Sequence, residues 1–468
     1  MGEYRSDQRC HSLNDSLRRL CALLCAVLAT QIWTAVWAET GPPPRNIQFT
    51  NLTTEIGFSS EFVNDVVQDG RGFIWFATQS GLNRYDGHEV RVYENAANDP
   101  NSLSHNFIWS LHVDASGDLL VATERGVNLY DPVSDSFIRE PWGDRSLANY
   151  RVRKIIEDDN GNLWLGTLGS GLLRLNPGTG ELVDFVFDPA DAYSLPSNLV
   201  IALIVDRRGE LWVGTDGGGL ARFDAATNNF VTYSNDPDNA LTLSDNRVRS
   251  LFEGSRGQIW IGTGSGGLNR LDPSTGRFTR FLANAEDPGS LPGGQVLSIY
   301  EDSYGTLWVG TDSGLAEWRP DSGSFSRYQN DSSKPNSLVN NRVNAITQDR
   351  SGVLWLATHG GVSLWNHFSD SFVYYNSQAE TLSSDVVTSV AESSNGQLWV
   401  GTYGGGLSRI DPLDGTVKHY LHDKSVPGSL PDNQVMTVFV DSEDRLWIGM
   451  RTGGLAMKLP GQDTFSRY

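Results

Sequence analysis

The stretch GQIWIGTGSGGLNRLDPSTGRFTRF, Gly257–Phe281, returns along the chain with small changes. The pattern stands 48 residues later as GTLWVGTDSGLAEWRPDSGSFSRY, Gly305–Tyr328, and 48 residues earlier as GELWVGTDGGGLARFDAATNNFVTY, Gly209–Tyr233. Aligned on the tryptophan, nine copies follow one another every 44 to 48 residues, at Trp75, Leu120 in place of tryptophan, Trp164, Trp212, Trp260, Trp308, Trp355, Trp399 and Trp447. A fixed period in this range is typical of solenoids, propellers and other repeat arrays.

Each copy contains four short runs of β-forming residues separated by turn residues, such as VLSIYED, TLWVGT, GLAEW and FSRY around Trp308. The runs lack the i, i+3, i+4 spacing of a helix. In LWVGT the tryptophan and the glycine share one face of the strand, and the aliphatic residues share the other. Because both faces are apolar or small, each four-stranded sheet must be covered on both sides by neighbouring copies.

This pattern predicts an all-β fold, a β-propeller of four-stranded blades with nine blade-like repeats. A straight β-solenoid fits less well, because its repeat is usually shorter and has fewer strands. Rings typically have four to eight blades. We therefore expect residues 47–378, repeats one to seven, to form one ring, and residues 379–468, repeats eight and nine, to begin a second, incomplete propeller. The glycine two residues after each tryptophan, such as Gly262, is expected to leave room for the neighbouring sheet.

A D-x-x-G turn joins the first two runs, for example from Asp206 to Gly209. Aspartate can bond the backbone of its own turn, and glycine tolerates a positive φ at the fourth position. The segment Asp158-Asp159-Asn160-Gly161 also resembles a calcium-binding loop faintly. Because the turn explains the same pattern in the other copies, we predict no metal site.

The chain of 468 residues has a formal net charge of -20 and a pI near 4.7. Nucleic acid and anionic membrane surfaces need a basic face, so the charge argues against both as the main partner. The first 38 residues end in an apolar run with small residues before the expected cleavage point, which predicts a signal peptide at residues 1–38 and a linker at 39–46. An uncleaved membrane anchor is the alternative. All three cysteines lie in this leader, so the mature chain would have no disulfide and no thiolate site.

The sequence gives little support for catalysis. The histidines lack metal-binding spacing, and the Gly-rich runs lack the Lys-Ser/Thr of a phosphate loop. We therefore predict no cofactor and no catalytic residue, although carboxylate pairs suited to glycoside hydrolysis stay open.

Ligand binding is expected on two loops of each blade, the loop between the second and third strands and the loop that leads into the next blade. The residues that vary there are the candidate ligand-binding residues: His105, Trp109, Arg125, Tyr150, Arg151, Arg153, Arg247, Arg249, Arg342, His359, Tyr403 and Arg451. Five arginines, at positions 151, 153, 247, 249 and 342, belong to the loop that leads into the next blade. They suggest that this loop binds an anionic ligand such as an acidic sugar. The alternative is that each pairs with a neighbouring carboxylate. Trp109, His105 and Tyr403 are interpreted as stacking platforms for sugar rings or, alternatively, as blade packing.

The opening FTNLTTEIGFSSEFVNDVVQDGRGFIWFATQSGLNRYDG, Phe49–Gly87, and the loops DPNSLSHN, DAYSLPSN and KPNSLVNN resemble the two-component regulator propeller repeat family. The resemblance covers almost everything after residue 46. It implies the extracytoplasmic sensor region of a bacterial receptor that continues into a β-sandwich, a membrane helix and a histidine kinase or diguanylate cyclase. The chain departs from that plan because it stops at the end of the ninth copy. We interpret it as a fragment of such a receptor; the alternative is a shortened member that works through partners.

The resemblance implies a periplasmic location, on the extracytoplasmic side of the inner membrane, and membrane attachment only through the leader or a missing downstream segment. A small-molecule or oligosaccharide ligand and a homodimer through the receptor are the expected partners. The alternative functions are a secreted propeller enzyme, a lyase or glycosidase acting on a polysaccharide, and a scaffold.

Overall fold

The computed structural model describes residues 47–142, 147–367, 377, 381–411 and 416–468. The predicted signal peptide and linker, with all three cysteines, lie outside these residues. The chain divides into two compact units, Met1–Asp370 and Ser371–Tyr468. The described part of the chain contains no helix that is long and apolar enough to span a membrane.

The first unit holds seven four-stranded antiparallel sheets. Sheets one to three contain β2 (Val63–Gln68), β3 (Ile74–Thr78), β4 (Gly81–Tyr85), β5 (Val90–Tyr93); β6 (Ile108–Val113), β7 (Leu119–Thr123), β8 (Gly126–Asp131), β9 (Ser136–Ile138); and β10 (Val152–Glu157), β11 (Leu163–Thr167), β12 (Leu172–Leu175), β13 (Leu182–Phe185). Sheets four to six contain β14 (Val200–Val205), β15 (Leu211–Thr215), β16 (Leu220–Asp224), β17 (Asn229–Tyr233); β18 (Val248–Glu253), β19 (Ile259–Thr263), β20 (Leu268–Asp272), β21 (Arg277–Phe281); and β22 (Val296–Glu301), β23 (Leu307–Thr311), β24 (Leu315–Arg319), β25 (Ser324–Tyr328). The predicted fold class, a β-propeller of four-stranded blades, is confirmed.

The seventh sheet takes its outer strand from the other end of the unit. It consists of β26 (Val343–Gln348), β27 (Val353–Thr358), β28 (Gly361–Asn366) and, beside β28, the N-terminal strand β1 (Thr50–Leu52). A short 3-10 turn, Thr54–Ile56, follows β1. Asn51 lies opposite Ser363, and its side-chain amide donates to the carbonyl of Ser337 at 2.9 Å. The sequence analysis did not assign β1 to the last blade, because repeat one already has four strands of its own.

The innermost strands contact one another in cyclic order, β2, β6, β10, β14, β18, β22, β26 and back to β2. Two asparagine amides join neighbouring sheets: Asn64 Nδ2 donates to the carbonyl of Ile108, and Asn344 Nδ2 to the carbonyl of Val63, both at 2.8 Å. The second of these bonds links the seventh sheet to the first. The seven sheets therefore form a ring that β1 completes at its outer edge.

Tryptophan and glycine have the predicted structural roles in this ring. Trp75, Trp212 and Trp308 are fully buried between adjacent sheets. A Cβ on Gly262 would lie 2.6 Å from Val296 Cγ1 of the next sheet, and a Cβ on Gly166 would lie 2.7 Å from Val200 Cγ1. Glycine at these two positions permits the close approach without displacing the valine side chain of the next sheet.

The aspartate of the D-x-x-G turn has a second role that the sequence analysis missed. Its Oδ1 accepts the backbone N–H groups of the turn, as predicted, and its Oδ2 accepts the indole N–H of the tryptophan six residues later. The second bond measures 2.8 to 3.0 Å in six sheets, for the pairs Asp69–Trp75, Asp158–Trp164, Asp206–Trp212, Asp302–Trp308, Asp349–Trp355 and Asp441–Trp447. The carboxylate thus stabilises the turn and satisfies a buried donor.

The second unit contains two sheets, one of β29 (Val387–Glu392), β30 (Leu398–Thr402), β31 (Gly406–Ile410) and β32 (Val417–Tyr420), the other of β33 (Val435–Val440), β34 (Leu446–Met450), β35 (Leu455–Lys458) and β36 (Phe465–Arg467). Val387 and Val390 are 44% and 56% exposed, whereas their equivalents in the first sheet, Val63 and Val66, are 0% and 2% exposed. In the first unit, a neighbouring sheet covers the equivalent side chains.

Candidate functional site

A β-bulge occurs at the same point in each innermost strand of the first unit, after its first residue. A bulge adds one unpaired residue and can redirect its side chain. We call these seven residues the bulge ring: Asn64, Trp109, Arg153, Ile201, Arg249, Leu297 and Asn344. Six of them, all but Trp109, line a central cavity of about 150 Å³.

The residue that precedes each innermost strand forms a second set, which we call the mouth ring: Phe62, Phe107, Arg151, Leu199, Arg247, Gln295 and Arg342. The loop after the second strand returns to this level, because its first amide bonds the mouth-ring carbonyl of the same sheet, as Leu168 N does to Arg151 O and Gly264 N to Arg247 O. The two loops predicted to bind ligand therefore meet at one end of the channel.

Two mouth-ring arginines are paired with carboxylates, as the alternative interpretation held. The Arg151 guanidinium donates to Glu124 at 2.5 Å and 3.0 Å. Glu124 also accepts the Trp109 indole N–H at 2.8 Å. These bonds hold the pKa of the Glu124 carboxyl below its usual value against the opposing effect of burial, so this group is anionic at neutral pH. Arg247 pairs with Asp245 at 3.3 Å.

Of the three remaining arginines, one has a carboxylate partner and two have other partners within the described residues. Arg249 pairs with Asp216 at 3.4 Å. Arg342 Nη1 donates to the amide oxygen of Gln295, a neutral partner, at 2.9 Å. The Arg153 guanidinium lies 5.1 Å from the centre of the Trp109 ring, a cation-π contact.

The predicted aromatic platforms are mostly engaged in packing. Trp109 contacts Phe107 at 4.5 Å between ring centres as well as Arg153. His105 Nδ1 accepts the backbone N–H of Phe107 at 2.9 Å, and so shapes the loop. Tyr150 packs against the core shared by the second and third sheets. These three residues therefore support the site more than they present open faces.

The other candidates lie in different places. Arg125 is exposed on the loop after β7. His359 packs edge-on against Phe62 at 5.1 Å, and burial together with the charge of Arg342 lowers the pKa of this imidazole, which favours its neutral form. Tyr403 and Arg451 belong to the second unit, where the guanidinium donates to the tyrosine hydroxyl.

Sequence reasoning missed Phe62 and Asp65. Phe62 is an exposed mouth-ring aromatic, at 44%. Asp65 accepts the backbone N–H of Leu111 at 3.1 Å and pairs with Lys154 at 3.6 Å. The sequence does not reveal the bulge between Val63 and Asp65. A strict two-residue alternation therefore assigns the side chains next to the bulge to the wrong faces of the strand.

A ring of radially packed four-stranded sheets with loops gathered at one channel mouth defines a β-propeller. Seven segments of the chain match the model of the two component regulator propeller repeat, at residues 146–169, 194–217, 242–265, 290–313, 337–360, 381–404 and 429–452. Seven of the nine repeats are thus two-component regulator propeller repeats.

Solved structures extend the likeness to most of the chain. BT3049 from B. thetaiotaomicron, described as the extracellular domain of a hybrid two component system, is 26% identical with a TM-score of 0.60, over 90% of this chain and 54% of that one. The extracellular domain of BT4673 from the same organism is 26% identical over the same shares, with a TM-score of 0.57. The chain spans about half the length of these domains.

Two further similarities are narrower. A segment of 59 residues is 39% identical to histidine kinase P4 of Formosa agariphila, covering 13% of this chain and 4% of that protein. A streptogramin B lyase structure is 15% identical with a TM-score of 0.51, over 68% of this chain and 98% of that one, which is a likeness of fold alone.

Proposed function

We propose that this chain is the extracytoplasmic ligand-sensing region of a bacterial transmembrane signalling receptor, located on the periplasmic side of the inner membrane, and that its ligand is a carbohydrate. The histidine kinase or diguanylate cyclase that gives the output would belong to the complete receptor. The observation that carries this proposal is the likeness to the extracellular domains of BT3049 and BT4673 over 90% of the chain.

The mouth of the ring supports ligand binding on chemical grounds. It combines an exposed aromatic, Phe62, with guanidinium, carboxylate and amide groups held by neighbouring bonds. Saccharides are bound by aromatic faces together with bidentate polar groups, and a rigid strand scaffold keeps such groups in place at low entropic cost. A sensor also requires that the ligand bind two arrangements of the receptor unequally.

The test is calorimetric titration of the full chain with a panel of neutral and acidic oligosaccharides, with product analysis of each mixture. We expect saturable binding without cleavage, weakened at least tenfold by F62A. The matched control is Y193A, which removes another exposed aromatic whose backbone bonds Phe230 in the outer strand β17. Equal losses for both variants, or cleavage of the saccharide, would contradict the proposal.

A further inference from the structure

Three guanidinium groups lie at the central cavity or at its mouth, and they belong to sheets three, five and seven. Arg153 and Arg249 line the cavity. Arg342 belongs to the mouth ring. Burial lowers the pKa of Arg153 and of Arg342, and the positive charge of Arg249 lowers each pKa further. Asp65 raises the pKa of Arg153, and Asp312 raises that of Arg342. Arg249 therefore repels both of the other cations in a partly desolvated place.

The protein leaves part of their hydrogen-bonding capacity unused. The Nε atoms of Arg249 and Arg342 are buried and have no partner among the described residues. Within the same described ranges the Arg153 guanidinium has its cation-π contact with Trp109 but no hydrogen bond. A buried donor without an acceptor is destabilising, so an acceptor brought by a ligand would be favoured here.

The local charge balance points the same way. Arg153, Lys154, Arg249 and Arg342 give four positive charges around the cavity, and Asp65, Asp216 and Asp312 give three negative charges, which leaves an excess of one positive charge. The whole chain carries -20. A local excess of positive charge in a strongly acidic protein favours the binding of an anion at that place.

We propose that the channel of the ring is a binding site for a small carboxylate anion, held by the guanidinium groups of Arg153, Arg249 and Arg342. A carboxylate accepts paired N–H bonds from the planar fork of arginine, and the cavity of about 150 Å³ suits a compact anion. The carboxylate belongs either to a free small acid or to a uronic acid unit of a saccharide seated at the mouth. This site goes beyond the proposed function, because anion binding here needs no receptor output.

Titration calorimetry on the full chain separates these two sources. Malonate serves as the free carboxylate, D-glucuronate as the uronate, and D-glucose as the neutral match for the uronate. We expect malonate or glucuronate to bind and glucose to bind at least tenfold more weakly. Binding of malonate alone identifies a free acid as the ligand class, and binding of glucuronate alone identifies a saccharide.

Variants test the three arginines individually. R153Q, R249Q and R342Q are each expected to weaken binding of the carboxylate probe at least tenfold. R153Q is also expected to keep or raise the melting temperature without ligand, because it relieves repulsion, and a purely structural role would lower it. The matched control R222Q removes a guanidinium paired with Glu210, outside the channel, and is expected to bind within twofold of the parent chain.

The site assignment is wrong if neither malonate nor glucuronate binds, if glucose binds as well as glucuronate, or if R153Q and R342Q bind like the parent chain. Failure of neutral oligosaccharides to bind at the mouth would leave the malonate result unaffected, so the two proposals are tested separately.

Discussion

Asp206→Ala tests the bond that connects turn chemistry to blade packing. Asp206 Oδ1 accepts the N–H groups of Arg208 and Glu210, each at 2.9 Å, and Oδ2 accepts the indole N–H of Trp212 at 3.0 Å. Trp212 is 1% exposed, so its N–H has no access to water once the carboxylate is removed. The substitution should therefore reduce stability without altering a loop that binds ligand.

The size of the effect follows from the three bonds. A buried donor left unpaired costs about 1–3 kcal/mol, and each turn bond contributes about 0.5–1.5 kcal/mol, less where water replaces it. We expect Asp206→Ala to lower the free energy of unfolding by about 2–4 kcal/mol. Asp206→Asn keeps one acceptor oxygen and should cost about half as much.

Urea unfolding followed by circular dichroism measures the change, and hydrogen exchange of the amides of β14 and β15 shows whether it arises in the fourth sheet. Asp224→Ala is the matched control, because Asp224 also bonds its own turn, to Ala226 N and Thr227 Oγ1, but bonds no tryptophan. A loss for Asp206→Ala no larger than for Asp224→Ala would refute the reasoning.

Three further predictions concern other parts of the ring. The fifth sheet has Gly254 where six others have the aspartate, so G254D/Q258T, which reproduces the residues of the sixth sheet, should raise the free energy of unfolding by about 1 kcal/mol in urea unfolding. Burial, aided by the charge of Lys154, lowers the pKa of His112 to about 4. The unfolded chain binds a proton at this histidine below about pH 6.5, whereas the folded chain does so only near pH 4, so the free energy of unfolding is highest above pH 6.5 and falls as the pH is lowered toward 4. At about 1.36 kcal/mol per pKa unit, we expect it to fall by about 3 kcal/mol more in the parent chain than in H112Q. N51C/S363C, in a background with the three native cysteines changed to serine, should form a disulfide between β1 and β28, detected by mass spectrometry of the digest.

Each of these predictions has a result that would contradict it. No gain in G254D/Q258T would mean that the unpaired indole N–H of Trp260, which the aspartate is meant to satisfy, does not destabilise the fold. Parallel pH profiles for H112Q and the parent chain would show that His112 does not stay neutral in the folded state. Absence of the N51C/S363C cross-link in folded protein would exclude the pairing of β1 with β28.

The repeat allowed most of the fold to be predicted, because its signals are local. The two apolar faces of LWVGT and the glycine two residues after the tryptophan require sheet-on-sheet packing, and the structure has it at Gly262 and Val296. The pairing of β1 with β28 joins residues more than 300 positions apart, Asn51 and Ser363, and no local pattern encodes it.

The candidate site was predicted less completely. Position in the repeat singled out the five arginines but did not show how each one is paired. Arg151, Arg247 and Arg249 contact Glu124, Asp245 and Asp216, whereas Arg153 and Arg342 form no ion pair within the described residues. That distinction depends on side-chain distances between neighbouring sheets. The bulge that redirects Arg153 toward the cavity is likewise a feature of strand pairing, and it is visible only when both strands are known.

The most direct test of the account is calorimetric titration of the intact chain with acidic and neutral oligosaccharides, with chromatography of the recovered saccharide. If the chain is a ligand-sensing propeller, we expect at least one saccharide to bind saturably, F62A to weaken this binding, and the saccharide to be recovered intact. Shortened or unsaturated products, or no binding by any member of the panel, would contradict it.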